Sequence, residues 1–329
     1  MQALPSYNAG DFAAFLQTPQ TFNLDLSKAS VMEVIEELIK MKTVVNPKAF
    51  KQYSSLKTQI RGIESAFGIT LMPIQITDIF WNHFISYMIN VSKLAVSSVK
   101  TICAQLRSTL SWASRHQCKV SPSFDFVNLP SYCHQQVALT PDEVSHIYHF
   151  DINTIDRRPQ YKRNMERVKD MFVLSCNLGQ RFSDMVRMDK SCFDRNIFTI
   201  LQQKTGNHAR VDIERMSMDR NTTYEILEKY KYKAPITGDI SAHDRYIKQL
   251  LQYIGRGFLM PVKQEQRVNG VIETKFVPKY RLVSSHTCRR TFATVNILRG
   301  LPEAEVRRAT GHKSSSAFEK YLCYYEECA

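Results

Sequence analysis

The stretch "SSHTCRRTFATVNILRGLPEAEVRRATGHKSSSAFEKY" gathers two histidines, adjacent arginines and a tyrosine into one short run near the C-terminus. His286 and Arg289 are spaced i, i+3, so on a helix beginning near Ser285 both side chains project from one face. Thr310-Gly311 signals a helix end and leaves His312 in the turn that follows, with Tyr321 nine residues later. Upstream, in "NLGQRFSDM", a break at Gly179 places Arg181 at a helix start, where its side chain and backbone N–H groups can face one anion. Lys204 in "QQKTGNHARV" closes a β-run. These residue types bind anions and move protons. Each has an ordinary explanation when taken singly: a lone histidine is usually structural, a tyrosine at helical spacing is usually core, and an arginine pair usually faces solvent.

The elements that must hold these side chains can be read from periodicity. "SKASVMEVIEELIKMK" carries apolar residues at helical spacing after a possible cap at Ser27 or Ser30. "FKQYSSLKTQIRGIESAF", "TDIFWNHFISYMINV" and "SSVKTICAQLRSTLSWASRH" continue the helical pattern. "KVSPSFDFVNLPSYCHQQV" breaks it with two prolines and no period. A fresh helix starts in "LTPDEVSHIYHF", with Thr140 as cap, Pro141 in the first position and Glu143 completing a capping box. "RNMERVKDMFVLSCNLGQRFSDMVRM" is a long helix broken at Gly179, followed by a second from about Phe182 with Asp184 in its first turn. "IFTILQQKTGNHARVDI" reads as a hairpin turning at Thr205-Gly206-Asn207-His208, with Lys204 at the end of its first strand. "VKQEQRVNGVIETKFV" reads as another, around the Asn269-Gly270 pair. The expected fold is mainly α with small β-hairpins. Its parts are an N-terminal helical segment at 1–48, a helical domain at 49–118, a linker at 119–137 and a second, α+β domain at 138–329.

The 329 residues are 43% apolar and 23% charged, an ordinary globular composition that argues against disorder. The apolar runs are short and no leader precedes the fold, which implies a soluble, unexported protein. Eight cysteines include no CxxC pair, which argues against a zinc knuckle or a disulfide framework and for a reducing compartment. The net charge is +13. Residues 49–137 carry eight lysines and arginines against three acids, and residues 138–329 carry 32 against 23, whereas 1–48 are slightly acidic. Such a distribution suits a polyanion, most often nucleic acid.

Arg181, Lys204, the "HTCRR" of His286 and Arg289, the "TGHK" of His312 and the "FEKY" of Tyr321 resemble, in order and spacing, the boxes of the tyrosine recombinases, the phage-type integrase family. The resemblance covers the chain from about Leu139 to Tyr321. It implies that a helical core-binding domain at 49–118 precedes a catalytic domain at 138–329. It further implies that Arg181 and Arg289 cradle the non-bridging oxygens of a DNA phosphodiester, and that Tyr321 attacks to form a 3′-phosphotyrosyl bond. Lys204 then protonates the leaving 5′ oxygen. His286 assists with the tyrosine proton or the phosphate, and His312 hydrogen-bonds the phosphate; the sequence leaves the division between the two histidines open. Asp184 matches the family's acidic supporting position. Because bond energy is kept in the covalent link, neither ATP, metal nor cofactor is implied.

Some residues depart from the family's pattern. Gln180 stands where an apolar residue is common. Tyr324 and Tyr325 lie close to Tyr321, and Arg290 adjoins Arg289, although only Tyr321 and Arg289 satisfy the spacing. Eight residues follow Tyr321, which implies a short subunit contact or a truncated chain. The leading expectation is a site-specific recombinase of a mobile element. It would bind double-stranded DNA core sites as a dimer, form a tetramer in synapsis through a Holliday junction, and act in the cytoplasm at the nucleoid, with accessory DNA-bending proteins as further partners. A type IB topoisomerase-like enzyme and a non-catalytic DNA-binding protein are the alternatives.

Overall fold

The computed structural model describes residues 25–47, 49–122, 136–268 and 271–323. The chain divides into two compact units, Met1–Tyr132 and Cys133–Ala329. Most of the expected linker at 119–137, the Asn269-Gly270 pair, Tyr324, Tyr325 and the first 24 residues lie outside the described residues.

The first unit is a bundle of α1 (Val31–Val45), α2 (Ser54–Phe67), α3 (Asp78–Asn90) and α4 (Val96–Arg115). Ser30, rather than Ser27, caps α1: its hydroxyl accepts from Glu33 N while Glu33 Oε2 accepts from Ser30 N at 2.8 Å. Val34, Ile35 and Leu38 of α1 share one core with Leu56, Ile60, Trp81, Phe84 and Leu106. The acidic face of α1 also reaches the basic set, since Lys57 Nζ lies 2.7 Å from Glu36 Oε1.

The second unit is built on α6 (Pro159–Leu178), preceded by α5 (Pro141–His149). The capping box at α5 forms, with Thr140 Oγ1 accepting from Glu143 N and Glu143 Oε2 accepting from Thr140 N. Residues 165, 168 and 171–174 of α6 are buried on all sides, so this helix is the spine of the unit. It ends at Gly179, whose φ of +65° is left-handed backbone. α7 (Phe182–Met185) is a single turn that follows at once. β1 (Phe193–Asp194), β2 (Ile197–Leu201) and β3 (His208–Asp212) make a three-stranded antiparallel sheet, with Leu201 opposite His208. α8 (Arg220–Lys229) and α9 (Ile240–Ile254) pack on α6. The second expected hairpin is β4 (Pro261–Val268) paired with β5 (Val271–Pro278). α10 (Ser285–Leu298) lies along α6, and α11 (Glu303–Thr310) and α12 (Ser315–Glu319) complete the unit. The fold is mainly helical with small antiparallel hairpins, as its periodicity implied.

One placement differs from the sequence reading. β2 stops at Leu201, and Lys204 stands in a loop rather than at the strand end. The reason is Gln202, whose side chain is fully buried and leaves the ladder to join the core network described below. The loop is closed by Gln202 N donating to Asn207 O and Gly206 N donating to Gln202 O, each at 2.9 Å. Among the described residues no helix is long and apolar enough to cross a membrane.

Gly179 is required twice over. Its φ is left-handed, and a Cβ there would stand 2.4 Å from the Phe292 ring of α10. Gly179→Ala therefore adds overpacking of about 1–3 kcal/mol to a left-handed backbone penalty of about 1 kcal/mol. Gly68 shares the backbone (φ +62°) but has open space around it, so Gly68→Ala bears the backbone penalty alone. Urea unfolding of the two variants should show the larger loss at residue 179.

Candidate active site

The ends of two helices create the central feature. α6 stops at Gly179 and α11 at Gly311, both in left-handed backbone, which leaves C-terminal carbonyls without helical partners and a partial negative charge at each end. Arg289, projecting from α10 and fully buried, lies between them. Its Nη1 donates to Gly179 O at 3.1 Å and its Nη2 to Thr310 O. Burial, and then the Arg181 charge, push its pKa down to about 9, so it remains a cation at neutral pH. Arg289 Nε has no partner.

α10 is aimed by Asp244 of α9, whose Oδ1 accepts from Ser285 N at 2.6 Å. His286, in the first turn, therefore faces the same hollow as Arg289. Ser314 caps α12, buried Phe318 anchors it, and Tyr321 N donates to Phe318 O at 2.7 Å. Beyond the tyrosine, Cys323 N donates to Thr294 Oγ1 of α10. These ties deliver Tyr321 Oη to 2.6 Å from His286 Nε2. The Arg289 guanidinium carbon lies 5.8 Å from the Tyr321 ring centre, and the His312 ring centre 4.3 Å from it.

Both imidazoles are held neutral. Burial, then Arg290, Arg289, Arg181 and Lys204, lower His286 to about 4. Burial, then Arg289 and Arg181, lower His312 to about 3. For His286, a phenol donating to Nε2 places the ring proton on Nδ1. For His312 the tautomer follows from Thr310: its hydroxyl donates to Val306 O at 2.7 Å, so its oxygen accepts from His312 Nδ1 at 2.8 Å. His312 Nε2 is then a bare, buried nitrogen with no partner.

Arg181 caps α7 with its carbonyl and stands half-buried at the site's edge. Its Nη1 donates to Gln202 Oε1 at 2.8 Å and lies 3.8 Å from Asp184 Oδ2. Buried Asp184 makes its close bonds elsewhere: its Oδ1 accepts from Arg187 Nη2 at 2.9 Å and Gln203 N at 2.8 Å. Lys204 is exposed in the β2–β3 loop and makes no hydrogen bond to the other site residues, although it is near enough to depress His286. The structure thus brings Arg181, His286, Arg289, His312 and Tyr321 together, with Asp184 behind Arg181 and Lys204 at the rim.

Sequence reasoning missed Gln202 and Arg187, and saw Gln180 only as a departure. Gln180 is fully buried and satisfied, its Nε2 donating to Leu178 O and Ala309 O. The spacing of Asp184 and Arg187, i, i+3 in "SDMVRM", was the available signal for that pair. Among the described residues no group of three or more histidine, cysteine or acidic side chains could hold a metal ion.

The Phage integrase family matches this sequence over residues 138–327, more than half of the chain and all of the site. The chain belongs to the phage integrase family. It is thereby a tyrosine recombinase, an enzyme that breaks and rejoins DNA strands. Solved structures share the fold at low identity. A lambda integrase dimer bound to a COC′ core site is 17% identical, with 95% of this chain and 93% of that chain covered and a TM-score of 0.59. A lambda integrase tetramer bound to a Holliday junction is 16% identical, with 94% and 80% covered and a TM-score of 0.62. The integrase of transposon Tn1549, in complex with transposon right end DNA, is 13% identical, with 91% and 96% covered and a TM-score of 0.60. No curated protein matches the chain.

The neutral imidazoles make an integrase of this build sensitive to acid. An unfolded histidine takes up its proton below about 6.5, whereas the folded protein keeps His286 neutral to about 4 and His312 to about 3. The unfolded state therefore binds more protons in that window, and stability falls as pH drops from about 6.5 towards 4. The urea midpoint should be lower at pH 5 than at pH 7, and His312→Gln, which cannot be protonated, should narrow the difference.

Proposed function

We propose that this protein is a site-specific DNA recombinase that exchanges strands through a 3′-phosphotyrosyl intermediate and a Holliday junction, without ATP. The observation that carries the reading is the 2.6 Å contact of Tyr321 Oη with a neutral His286 Nε2, set beside an unpartnered Arg289 Nε and a bare His312 Nε2. Buried polar atoms without partners call for an explanation. A phosphodiester oxygen arriving in the hollow supplies it.

In this reading the arginines act first. Arg289 and Arg181 bind the non-bridging oxygens and disperse the charge that grows as phosphorus becomes five-coordinate. The helix-end carbonyls fix Arg289 before substrate arrives, so little reorganisation is needed. Tyr321 Oη attacks phosphorus while its proton passes to His286 Nε2. His286, lowered to about 4, is a weak base, so full transfer before attack is uphill; the proton moves as the P–O bond forms. The same phosphate opposes the depression of His312 and lets Nε2 take a proton from solvent as the anion enters and donate a hydrogen bond to a phosphate oxygen. Lys204 gives its proton to the departing 5′ oxygen. Asp184 supports Arg181 from behind and ties down the lysine loop through Gln203 N. Religation reverses these steps with a new 5′-hydroxyl.

The helical bundle of the first unit, with the basic residues of α2 and α4, grips the duplex backbone in this scheme, and α1 belongs to that bundle. Pairing on a site and assembly into a tetramer are supported by the dimeric and tetrameric forms of the lambda integrase structures. An enzyme of this kind works in the cytoplasm, at the nucleoid.

The test uses duplexes that the protein itself selects from a random-sequence pool, nicked so that the fragment released by cleavage diffuses away. In EDTA, an SDS-stable protein–DNA adduct should form and vanish in Tyr321→Phe, and Arg181→Ala should slow it on the order of 100- to 1,000-fold. Tight binding with no adduct on any selected duplex would leave a DNA-binding protein without the reaction. Relaxation of supercoiled plasmid with no joint product between two sites would favour the topoisomerase-like alternative.

A further inference from the structure

Gln202 is a buried polar group that takes no part in the proposed chemistry, and it ties together the stretches that carry Arg181, Lys204 and His312. Its side chain is fully buried. Oε1 accepts from Arg181 Nη1 at 2.8 Å and from Thr205 Oγ1 at 2.9 Å. Nε2 donates to Gln180 Oε1 and to Thr310 O, each at 2.9 Å. Thr310 O also receives Arg289 Nη2, so one carbonyl is shared by the second arginine and by the glutamine that holds the first. All four hydrogen-bonding positions of one amide are occupied, by the α6–α7 junction, the lysine loop and the end of α11. A Cβ at Gly311 would stand 2.3 Å from Gln202 Oε1, so the turn before His312 is packed directly on this amide.

We propose that Gln202 is a positioning residue that sets the Arg181 guanidinium and the Lys204 loop in register with each other. It rests on the reading of the site as a phosphotyrosyl strand-transfer centre. Arg181 and Lys204 act on the same phosphorus, one on a non-bridging oxygen and the other on the leaving oxygen, and nothing joins them directly. Gln202 Oε1 joins them by accepting from Arg181 on one side and, on the other, from the hydroxyl of Thr205, the residue next to Lys204. Glutamine suits the place because it both accepts from two donors and donates to two acceptors. Glutamate would set a charge against Gln180 Oε1 and Thr310 O, and an apolar side chain would take this partner from Arg181 Nη1, Thr205 Oγ1 and Gln180 Oε1 and leave Thr310 O to Arg289 alone.

The experiment compares single-turnover adduct formation on two nicked duplexes, one with the ordinary 5′ oxygen at the scissile bond and one with sulfur in that bridging position. A thiolate leaves without a proton, since a thiol has a pKa of about 8.5, so the second duplex does not need Lys204. Gln202→Met should slow the oxygen duplex by about 100-fold, the loss expected for a misplaced catalytic group. It should slow the sulfur duplex by only about tenfold, because the Arg181 part of the defect remains. Thr205→Val removes the loop tie alone. It should slow the oxygen duplex on the order of tenfold and leave the sulfur duplex unaffected, and Thr205→Ser should restore the oxygen rate. Equal losses on both duplexes in Thr205→Val, or none on either, would overturn the inference, and that variant decides alone if Gln202→Met fails to fold. A wild-type protein that forms no adduct on either duplex would overturn the strand-transfer reading beneath it.

Discussion

A guanidinium buried without water must find acceptors, and in this chain the acceptors are the C-terminal ends of two helices. Arg289 donates to Gly179 O at the end of α6 and to Thr310 O at the end of α11. Both ends are opened by left-handed glycines, and both carry the negative pole of a helix dipole. An unpaired charge in that position would cost several kcal/mol. The cation, the two glycines and the packing of α10 on α6 are therefore one constraint, and Arg181, His286, His312 and Tyr321 are arranged around it.

Two electrostatic consequences follow. Burial and the neighbouring cations strip His286 and His312 of their protons in the free protein, so the site waits with neutral rings. The charge balance changes only when an anion enters. At the same time the amides of Gln180 and Gln202 knit the elements that carry Arg181, Thr310 and the lysine loop into one hydrogen-bonded layer, and a layer with every member satisfied is rigid. Lys204 is left on the exposed rim.

Much of this was legible in the sequence, for reasons that differ from residue to residue. Gly179 and Gly311 announced helix ends because left-handed backbone has few other tenants. The capping box at Thr140 and the i, i+3 pair of His286 and Arg289 are local geometry, which periodicity encodes directly. Lys204 was set one element off because the strand ends where Gln202 turns inward, and what draws it inward lies more than a hundred residues away at Thr310. Gln180 looked like a mismatch for a similar reason: besides Leu178 O, its buried amide depends on Gln202 and on Ala309 O, which no local window contains. The apolar stripe of the helix from Val31 was legible from its spacing, whereas its place in the bundle core rests on contacts with distant helices that no local pattern contains.

Burial among cations keeps both imidazoles neutral beside Tyr321 in the free protein. This neutrality is tested most directly by following the His286 and His312 ring resonances by NMR as pH is lowered, with each signal assigned by its loss on substitution. Both rings should remain neutral at pH 5.5, with titration midpoints near 4 for His286 and 3 for His312. Titration of either ring near the ordinary value of about 6.5 would contradict it.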